Sequence, residues 1–239
     1  MTSNDNVDLN WRSLNEKIVN CRLCPRLVSW REQVASIKRL AFRDVEYWGK
    51  PVPGFGDPKA SLLVVGLAPG AHGSNRTGRM FTGDSSGNFL YPALFRAGFA
   101  SQPGTSSLED GLILNNIFIT SICRCAPPEN KPSLQEQANC LPFLISEMAL
   151  IQSYQGIVAL GKLAFDQIIN IFRRDGRCFG KNDFAHGAFY NFGIGQPWLL
   201  ASYHPSRQNT QTRRLTIEMF DTIWQTAAHL INENEEKHV

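Results

Sequence analysis

A short apolar run that opens into a long glycine-rich loop constrains this chain more than any other stretch. Residues 62–66 read LLVVG, which is typical of a buried strand. A polar segment follows, and a helical pattern begins near residue 87. A loop of about twenty residues is uncommon in a compact domain unless it has a function. Its glycines, which let backbone approach a ligand closely, lie at positions 66, 70, 73, 78, 83 and 87. The stretch predicts a binding loop, with an ordinary strand-to-helix connection as the alternative.

Strands alternate with helices along the rest of the chain. Further strand-like apolar runs occupy 117–122, 156–160 and 198–202, with a candidate edge strand at 188–192. Helical patterns occupy 9–37 (interrupted by CRLCPRL), 86–97, 133–153, 161–172 and 210–232. This alternation predicts an α/β fold in which helices cover both faces of a parallel sheet. We expect residues 1–239 to form a single domain.

Three polar segments follow the ends of predicted strands. They are the glycine-rich loop, the segment CAPPENKP at 125–132 and the segment YHPSRQ at 203–208. Because parallel α/β sheets bind ligands at the carboxyl ends of their strands, we expect these segments to meet at one edge of the sheet.

Composition is typical of a soluble globular protein, with 43% hydrophobic and 19% charged residues. No apolar run approaches the ~20 residues that cross a bilayer, so we expect no membrane partner. The polar start MTSNDNVDLNW lacks the pattern of a signal peptide, which favours a cytoplasmic location. A net charge of +3 is too small to establish a polyanionic partner, so the distribution of basic residues matters more than the total.

Six cysteines in a cytoplasmic chain favour metal ligation or burial over disulfides. They lie at positions 21, 24, 123, 125, 140 and 178. Cys21 and Cys24 form a C-x2-C pair, and four thiolates suit either a [4Fe–4S] cluster or a structural zinc ion. Buried thiols without a ligand are the alternative. Cys123 and Cys125 lie on the same face of a strand, so geometry leaves open which of them is a ligand.

Three motifs together carry a family resemblance. GLAPGAHGSNRTGRMFTGDSSG, CRCAPPENKP with a following cysteine, and ASYHPSRQNTQTRR resemble the iron–sulfur uracil-DNA glycosylases, and most closely family 5 (B-type). The likeness extends from Cys21 to about Leu215. It implies a three-layer α/β/α sandwich around a four-stranded parallel sheet. It also implies a structural [4Fe–4S] cluster held by Cys21, Cys24, Cys125 and Cys140, because the family's cysteine directly precedes the residue-Pro-Pro element.

The resemblance implies a base-excision repair enzyme that acts on uracil-containing or otherwise damaged DNA. Such an enzyme flips a nucleotide out of the duplex and hydrolyses the bond between base and sugar, which leaves an abasic site. Family 5 is also expected to accept hypoxanthine, ethenocytosine and hydroxymethyluracil. We expect the protein to act as a monomer.

Three residues are the candidate catalytic groups. His204 follows the last main strand, where its imidazole N–H can donate to uracil O2 as charge builds on the departing base. Asp84 matches the family's candidate carboxylate, which would orient water and stabilise a cationic sugar. The alternative for Asp84 is to cap the following helix. Asn130 is expected to contact the base or the water.

Water activation is the open point of this assignment. Ala68 and Ala71 stand where other uracil-DNA glycosylases have a polar residue that positions water, and this departure also marks family 5. His72 and Asn75 are therefore alternative water-holding residues.

The remaining site predictions concern the base and the DNA backbone. Phe81 is expected to stack on the flipped base, with a core position as the alternative. Ser121 stands where related families place a base-reading asparagine. The other substrate-binding candidates are Gly66, Ala68, Gly70, Ala71 and His72. The candidate DNA-binding residues are Arg76, Arg79, Lys131, Ser206, Arg207 and Gln208, joined by Arg213 and Arg214, with contacts chiefly to phosphates.

Two other classes of function compete with this interpretation. One is a damage-sensing module with a degenerate site, since Ala68 and Ala71 lack the usual polar groups. The other is an iron–sulfur redox protein, which requires a cluster that cycles between redox states without loss of fold.

Overall fold

The structure is a computed structural model that describes residues 3–178 and 180–236. Its helices are α1 (Ser3–Val19), α2 (Pro25–Ile37), α3 (Ser74–Thr77), α4 (Gly87–Arg96), α5 (Leu134–Leu150), α6 (Lys162–Arg174), α7 (Arg207–Gln211) and α8 (Ile217–Glu236). Its strands are β1 (Phe55–Gly56), β2 (Leu62–Gly66), β3 (Ile117–Ser121), β4 (Gly156–Leu160), β5 (Phe189–Tyr190) and β6 (Trp198–Ser202).

The strands form one sheet in the order β1-β3-β2-β4-β6-β5. The four central strands are parallel, as the alternation of strands and helices predicted. The prediction of a four-stranded sheet needs a correction, because the described sheet has six strands. The two additional strands are edge strands of two residues each, and both pair antiparallel. Edge strands this short offer little backbone for pairing with another chain.

The core lies on both faces of the sheet, because successive strand residues point to opposite faces. Leu63 and Val65 of β2 pack with residues of α1, α5 and α6. Leu62 and Val64 pack on the other face with residues of α4 and α8. All five residues of β2 are buried, which explains why the strand is apolar throughout. The three-layer α/β/α prediction is therefore confirmed.

The C-terminal helical region differs from the prediction of one helix over 210–232. It consists of α7 and α8, separated by residues 212–216. Ser206 caps α7 by accepting a hydrogen bond from the Asn209 backbone N–H, so the helix begins earlier than predicted. Arg213 then adopts a left-handed conformation with a φ of 57°, which ends the helical path.

None of the helices in the described part of the chain has the length and apolar character needed to cross a membrane.

Candidate active site

A cavity of about 560 Å³ opens at the carboxyl ends of β2, β3 and β6. Most of the predicted site residues line it: Gly66, Ala68, Gly70, Phe81, Asp84, Ser121, Asn130, Lys131, His204, Ser206, Arg207 and Gln208. Sequence reasoning did not single out the remaining lining residues: Leu67, Ser74, Met80, Ser85, Ser86 and Glu129. All three segments that follow strand ends therefore contribute to one cavity, and Phe81, Asp84 and His204 share it.

Phe81 lies at the floor of the cavity, against the end of β2. A Cβ atom at Gly66 would lie 3.0 Å from the Phe81 ring, so glycine permits this close approach. Phe81 itself is left-handed with a φ of 53°, a conformation that costs free energy in a residue with a side chain. The Tyr91 hydroxyl donates a 2.7 Å hydrogen bond to the Met80 carbonyl and holds the preceding residue. Phe81 is thus buried in the core and also lines the cavity.

The imidazole of His204 lies beside the Phe81 ring, with centroids 5.9 Å apart and an interplanar angle of 31°. One side of His204 lines the cavity, but the ring lies deep in the protein, and this burial lowers the pKa of His204 to about 4. The imidazole is therefore neutral at neutral pH and has one N–H to donate. The Asn209 amide donates a 2.9 Å hydrogen bond to the His204 carbonyl and fixes the turn that carries the ring.

The Asp84 carboxylate has two distinct environments. Its Oδ1 accepts hydrogen bonds from the backbone N–H groups of Ser86 at 3.0 Å and Gly87 at 3.1 Å, which caps α4. Its Oδ2 lies against the glycine-rich loop, where a Cβ atom at Gly73 would be 2.1 Å away. Burial raises the pKa of Asp84, and the two backbone hydrogen bonds oppose that rise. Helix capping therefore uses one carboxylate oxygen and leaves the other for a different role.

Glu129 and Asn130 lie at the mouth of the cavity, on the segment that follows the two prolines. Both are left-handed, with φ values of 54° and 58°. Consecutive left-handed residues with side chains are rare, and such strain is often found at functional sites. The sequence analysis did not identify Glu129 as a lining residue. It directly precedes Asn130 in the same motif, and this position was the signal that could have identified it.

Ser121 ends β3 and is paired in register with Gly66. Its hydroxyl donates a 2.7 Å hydrogen bond to the Cys123 carbonyl, which can only accept. The single hydroxyl proton is therefore in use within the protein. Toward the cavity, the Ser121 hydroxyl can therefore offer only oxygen lone pairs.

Of the loop residues predicted to bind substrate or DNA, four lie outside the cavity lining: Ala71, His72, Arg76 and Arg79. The His72 ring is hydrogen-bonded to the Tyr47 hydroxyl at 3.1 Å, and burial lowers the pKa of His72. The Arg76 guanidinium donates to the carbonyls of His72 and Gly83 and packs over the Phe42 ring at 4.1 Å. These side chains hold the loop together from behind the cavity.

Arg79 does not lie on a DNA-facing surface, contrary to the prediction. Its side chain is 2% exposed and pairs with Asp110 at 2.5 Å. Its Nε also donates to the Thr82 hydroxyl at 3.1 Å. A guanidinium that is buried and paired in this way holds the loop to the Asp110 segment and cannot reach a phosphate. Asn75, the alternative water-holding residue, is also buried and lies outside the cavity lining.

The cysteine site is separate from the active-site cavity, since the two cavities share no lining residue. A small cavity is lined by the thiols of Cys21, Cys24, Cys125 and Cys140, and Cys123 is not part of its lining. In residues 3–178 and 180–236, no three His, Cys, Asp or Glu side chains are arranged to hold a single metal ion. These four cysteines line a common space instead.

Nitrogen donors face two of these sulfurs. The Asn139 amide donates to Cys24 Sγ at 3.4 Å, and the Arg124 backbone N–H donates to Cys140 Sγ at 3.3 Å. N–H donors to sulfur are typical of sites in which thiolates bind iron. The donor set is therefore compatible with a bound iron–sulfur cluster.

The elements that carry these thiols are joined by hydrogen bonds and charge. Ser133 and Glu136 form a capping box at the start of α5, as the sequence predicted. The Arg26 guanidinium at the start of α2 pairs with Glu136 at 2.6 Å. This pair holds the beginning of α2 against the beginning of α5, next to Cys24 and Cys140.

Comparison with known proteins gives a consistent result. A family model described as the uracil DNA glycosylase superfamily matches residues 53–228. The chain is 51% identical over 215 residues to a type-5 uracil-DNA glycosylase of Thermus thermophilus, which covers 90% of this chain and 95% of that protein. It is 50% identical over 218 residues to the type-5 enzyme of Mycobacterium tuberculosis, covering 91% and 80%. It is 29% identical over 201 residues to a type-4 uracil-DNA glycosylase of Pyrobaculum aerophilum, covering 83% and 84%.

Proposed function

Because the chain belongs to the uracil-DNA glycosylase superfamily, and within it to the type-5 family, we propose that it removes uracil from DNA by hydrolysing the base–sugar bond. The observation that carries this proposal is the single cavity shared by Phe81, Asp84 and His204 at the strand ends. A stacking ring, a carboxylate and a neutral imidazole can together perform this reaction.

The base enters the cavity after the nucleotide leaves the stack. The cavity volume of about 560 Å³ accommodates a nucleobase with part of its sugar. Phe81 stacks on the ring, and the Ser121 oxygen accepts a hydrogen bond from an N–H of the base, such as N3–H of uracil. Gly66, Ala68 and Gly70 supply a wall without bulky side chains.

His204 stabilises the leaving base. As the bond between C1′ and the base nitrogen breaks, the electron pair moves onto the base and negative charge develops on uracil O2. The neutral imidazole donates its N–H to this oxygen. Because burial holds the pKa of His204 near 4, the ring remains uncharged through the neutral pH range.

Asp84 acts on the other side of the same bond. Its carboxylate stabilises the positive charge that develops on the sugar and accepts a proton from the attacking water, whose oxygen bonds to C1′. The product is an abasic site. A raised pKa makes the carboxylate a better base than an exposed aspartate, and its Oδ2 is the oxygen that the helix cap leaves free. Asn130, at the cavity mouth, positions the water or the base.

The cavity supports activity on several damaged bases. Serine at position 121 contacts the base through one acceptor, whereas an asparagine would offer both a donor and an acceptor. This weaker requirement suits hypoxanthine and hydroxymethyluracil, which have a ring N–H. Ethenocytosine has no N3–H and depends on stacking against Phe81.

A [4Fe–4S] cluster held by Cys21, Cys24, Cys125 and Cys140 supports the site from behind. Their common cavity and the nitrogen donors to sulfur fit this group. When bound, the cluster supplies four covalent cross-links and no step of the hydrolysis. These links join α2, α5 and the segment 125–132, which carries Asn130 and Lys131 to the cavity.

The DNA backbone binds at the rim of the cavity. Lys131 and Arg207 are exposed and supply positive charge, while Ser206 and Gln208 supply hydrogen bonds to phosphates. Arg213 and Arg214 extend this basic surface, whereas the guanidinium of Arg76 is engaged within the glycine-rich loop. The Arg214 guanidinium packs over the Tyr203 ring at 4.6 Å, which holds it near the strand end. The protein acts on DNA as a monomer.

One experiment separates a glycosylase from a damage sensor. The purified protein is incubated with a labelled duplex that contains one uracil, and free base and alkali-labile sites are measured. We expect free uracil and strand cleavage after heating in alkali, and neither with a matched thymine duplex. An intact uracil strand under enzyme excess would refute the proposed function and favour a sensor.

A further inference from the structure

Arg31, on α2, has a buried side chain with too few partners. Its side chain is 2% exposed, and its Nε and Nη1 have no hydrogen-bond partner among residues 3–178 and 180–236. Its Nη2 donates a long hydrogen bond of 3.4 Å to the Cys21 carbonyl and lies 3.7 Å from the Glu32 carboxylate. Glu32 is 44% exposed and is already paired with Arg22, so water screens it.

Two other buried arginines show what Arg31 lacks. Arg79 pairs with the carboxylate of Asp110, which is 9% exposed. Arg124 pairs at 2.6 Å with Glu147, and both side chains are 1% exposed. An unpaired charge in the interior is strongly unfavourable, which is why buried arginines pair with buried carboxylates. Within the described chain, Arg31 has no such carboxylate.

The surroundings of Arg31 indicate where its counter-charge lies. The guanidinium is adjacent to the Cys21 backbone. Cys21 lines the small cavity together with Cys24, Cys125 and Cys140, so the guanidinium lies beside the proposed cluster site. A [4Fe–4S] cluster with four thiolates carries a net negative charge, since the thiolate charge exceeds the charge of the core.

We propose that Arg31 is the buried counter-charge of the iron–sulfur cluster, and that it positions the glycine-rich loop from the cluster side. This inference rests on the cluster assignment made above. The guanidinium supplies N–H groups to the sulfur atoms and neutralises part of their charge. The cluster is the negative partner that the guanidinium of Arg31 lacks among residues 3–178 and 180–236.

The link to the active site passes through the main chain of the same residue. The Arg31 carbonyl accepts a 3.2 Å hydrogen bond from the Asn75 amide, which is fully buried on α3. The Asn75 backbone N–H in turn donates to the Gly70 carbonyl at 3.0 Å, and Gly70 lines the active-site cavity. Arg31 thus joins the cluster to the loop that carries Phe81 and Asp84, so it is a positioning residue and does not touch the substrate.

The test compares Arg31→Met, which removes the charge, with Arg31→Lys, which retains it. Arg22→Met is the matched control, because Arg22 pairs with the same Glu32 but is 62% exposed. The readouts are iron and sulfide per chain, the rate of loss of visible absorbance in a chelator, and the reduction potential of the cluster. Uracil excision by the wild-type protein is measured separately.

We expect Arg31→Met to lose its cluster at least about tenfold faster than the wild type, the effect of removing a hydrogen-bonding charge. Its reduction potential should become more negative, since a cation near the cluster favours the reduced form. Arg31→Lys and Arg22→Met should remain near the wild type. If Arg31→Met does not fold, Arg31→Lys tests the inference alone. It retains the charge, so its cluster lifetime and reduction potential should match those of the wild type.

Three results would overturn the inference. The first is a wild-type lifetime and potential in Arg31→Met. The second is a cluster loss in Arg31→Lys as fast as in Arg31→Met, which would assign the effect to shape and not to charge. The third is a wild-type protein without iron that still excises uracil, which would remove the cofactor but leave the proposed function intact.

Discussion

Replacing Asp84 by asparagine separates the two environments of its carboxylate. The asparagine Oδ1 can still accept from the backbone N–H groups of Ser86 and Gly87, which are 3.0 and 3.1 Å from the aspartate oxygen. The substitution removes the negative charge and the capacity to take a proton from water. Asp84→Asn therefore preserves the helix cap and removes the proposed chemistry, whereas Asp84→Ala removes both.

The two effects differ in size. Asparagine caps a helix about as well as aspartate, so the free energy of unfolding of Asp84→Asn should change by less than about 1 kcal/mol. Asp84→Ala should lose roughly a further 1 kcal/mol with the cap. The excision rate should fall by about 10²- to 10⁴-fold in both variants, the usual contribution of a positioned acid or base.

The assay is single-turnover excision of uracil under enzyme excess, with thermal unfolding measured on the same preparations. Asp57→Asn is the matched control, because Asp57 also accepts from a backbone N–H, that of Lys59 at 2.8 Å, but lies outside the cavity. Since burial raises the pKa of Asp84, the wild-type rate should rise with pH through a pKa above that of an exposed aspartate. This rise should be absent in Asp84→Asn.

The decisive result is the rate of Asp84→Asn. If it stays within about threefold of the wild-type rate while Asp84→Ala is unstable, the carboxylate is a helix cap only and the assigned water chemistry is wrong.

Three further predictions test other parts of the site. His204→Gln should slow single-turnover excision by about 10²- to 10³-fold. Because the pKa of His204 is lowered from 6.5 to about 4, the free energy of unfolding of the wild type should rise with pH between these values. Denaturation curves of His204→Gln should show a smaller rise. Ser121→Ala should lower uracil excision by about 3- to 10-fold relative to ethenocytosine, which has no N3–H, and equal losses on both bases would contradict the acceptor role. Arg207→Gln should weaken binding at all sequences and reduce the slope of log affinity against log salt by about 1 in fluorescence titrations, whereas an unchanged slope would place Arg207 away from phosphates.

The main secondary structure could be predicted because its signals are local. The four parallel strands are apolar runs in which every residue is buried, so composition alone marks them. Strand β1, by contrast, has only two residues within a proline- and glycine-rich stretch. Its pairing with β3 comes from tertiary packing, which no local pattern reveals.

The gathering of polar segments at one edge could also be predicted, because topology alone brings the carboxyl ends of parallel strands together. The direction of each side chain within the long loop could not. Arg79 turns inward to Asp110, a residue thirty-one positions later in the chain, and no spacing rule connects the two. His72 turns toward Tyr47 for the same kind of reason.

Two glycines limit how far this pocket can be redesigned to accept other modified bases. Any side chain at Gly73 would overlap the Asp84 carboxylate, and one at Gly66 would press on the Phe81 ring. A mutant library aimed at new substrates should therefore leave both positions unvaried. Diversity is better directed to Ser121 and Met80, whose side chains line the cavity.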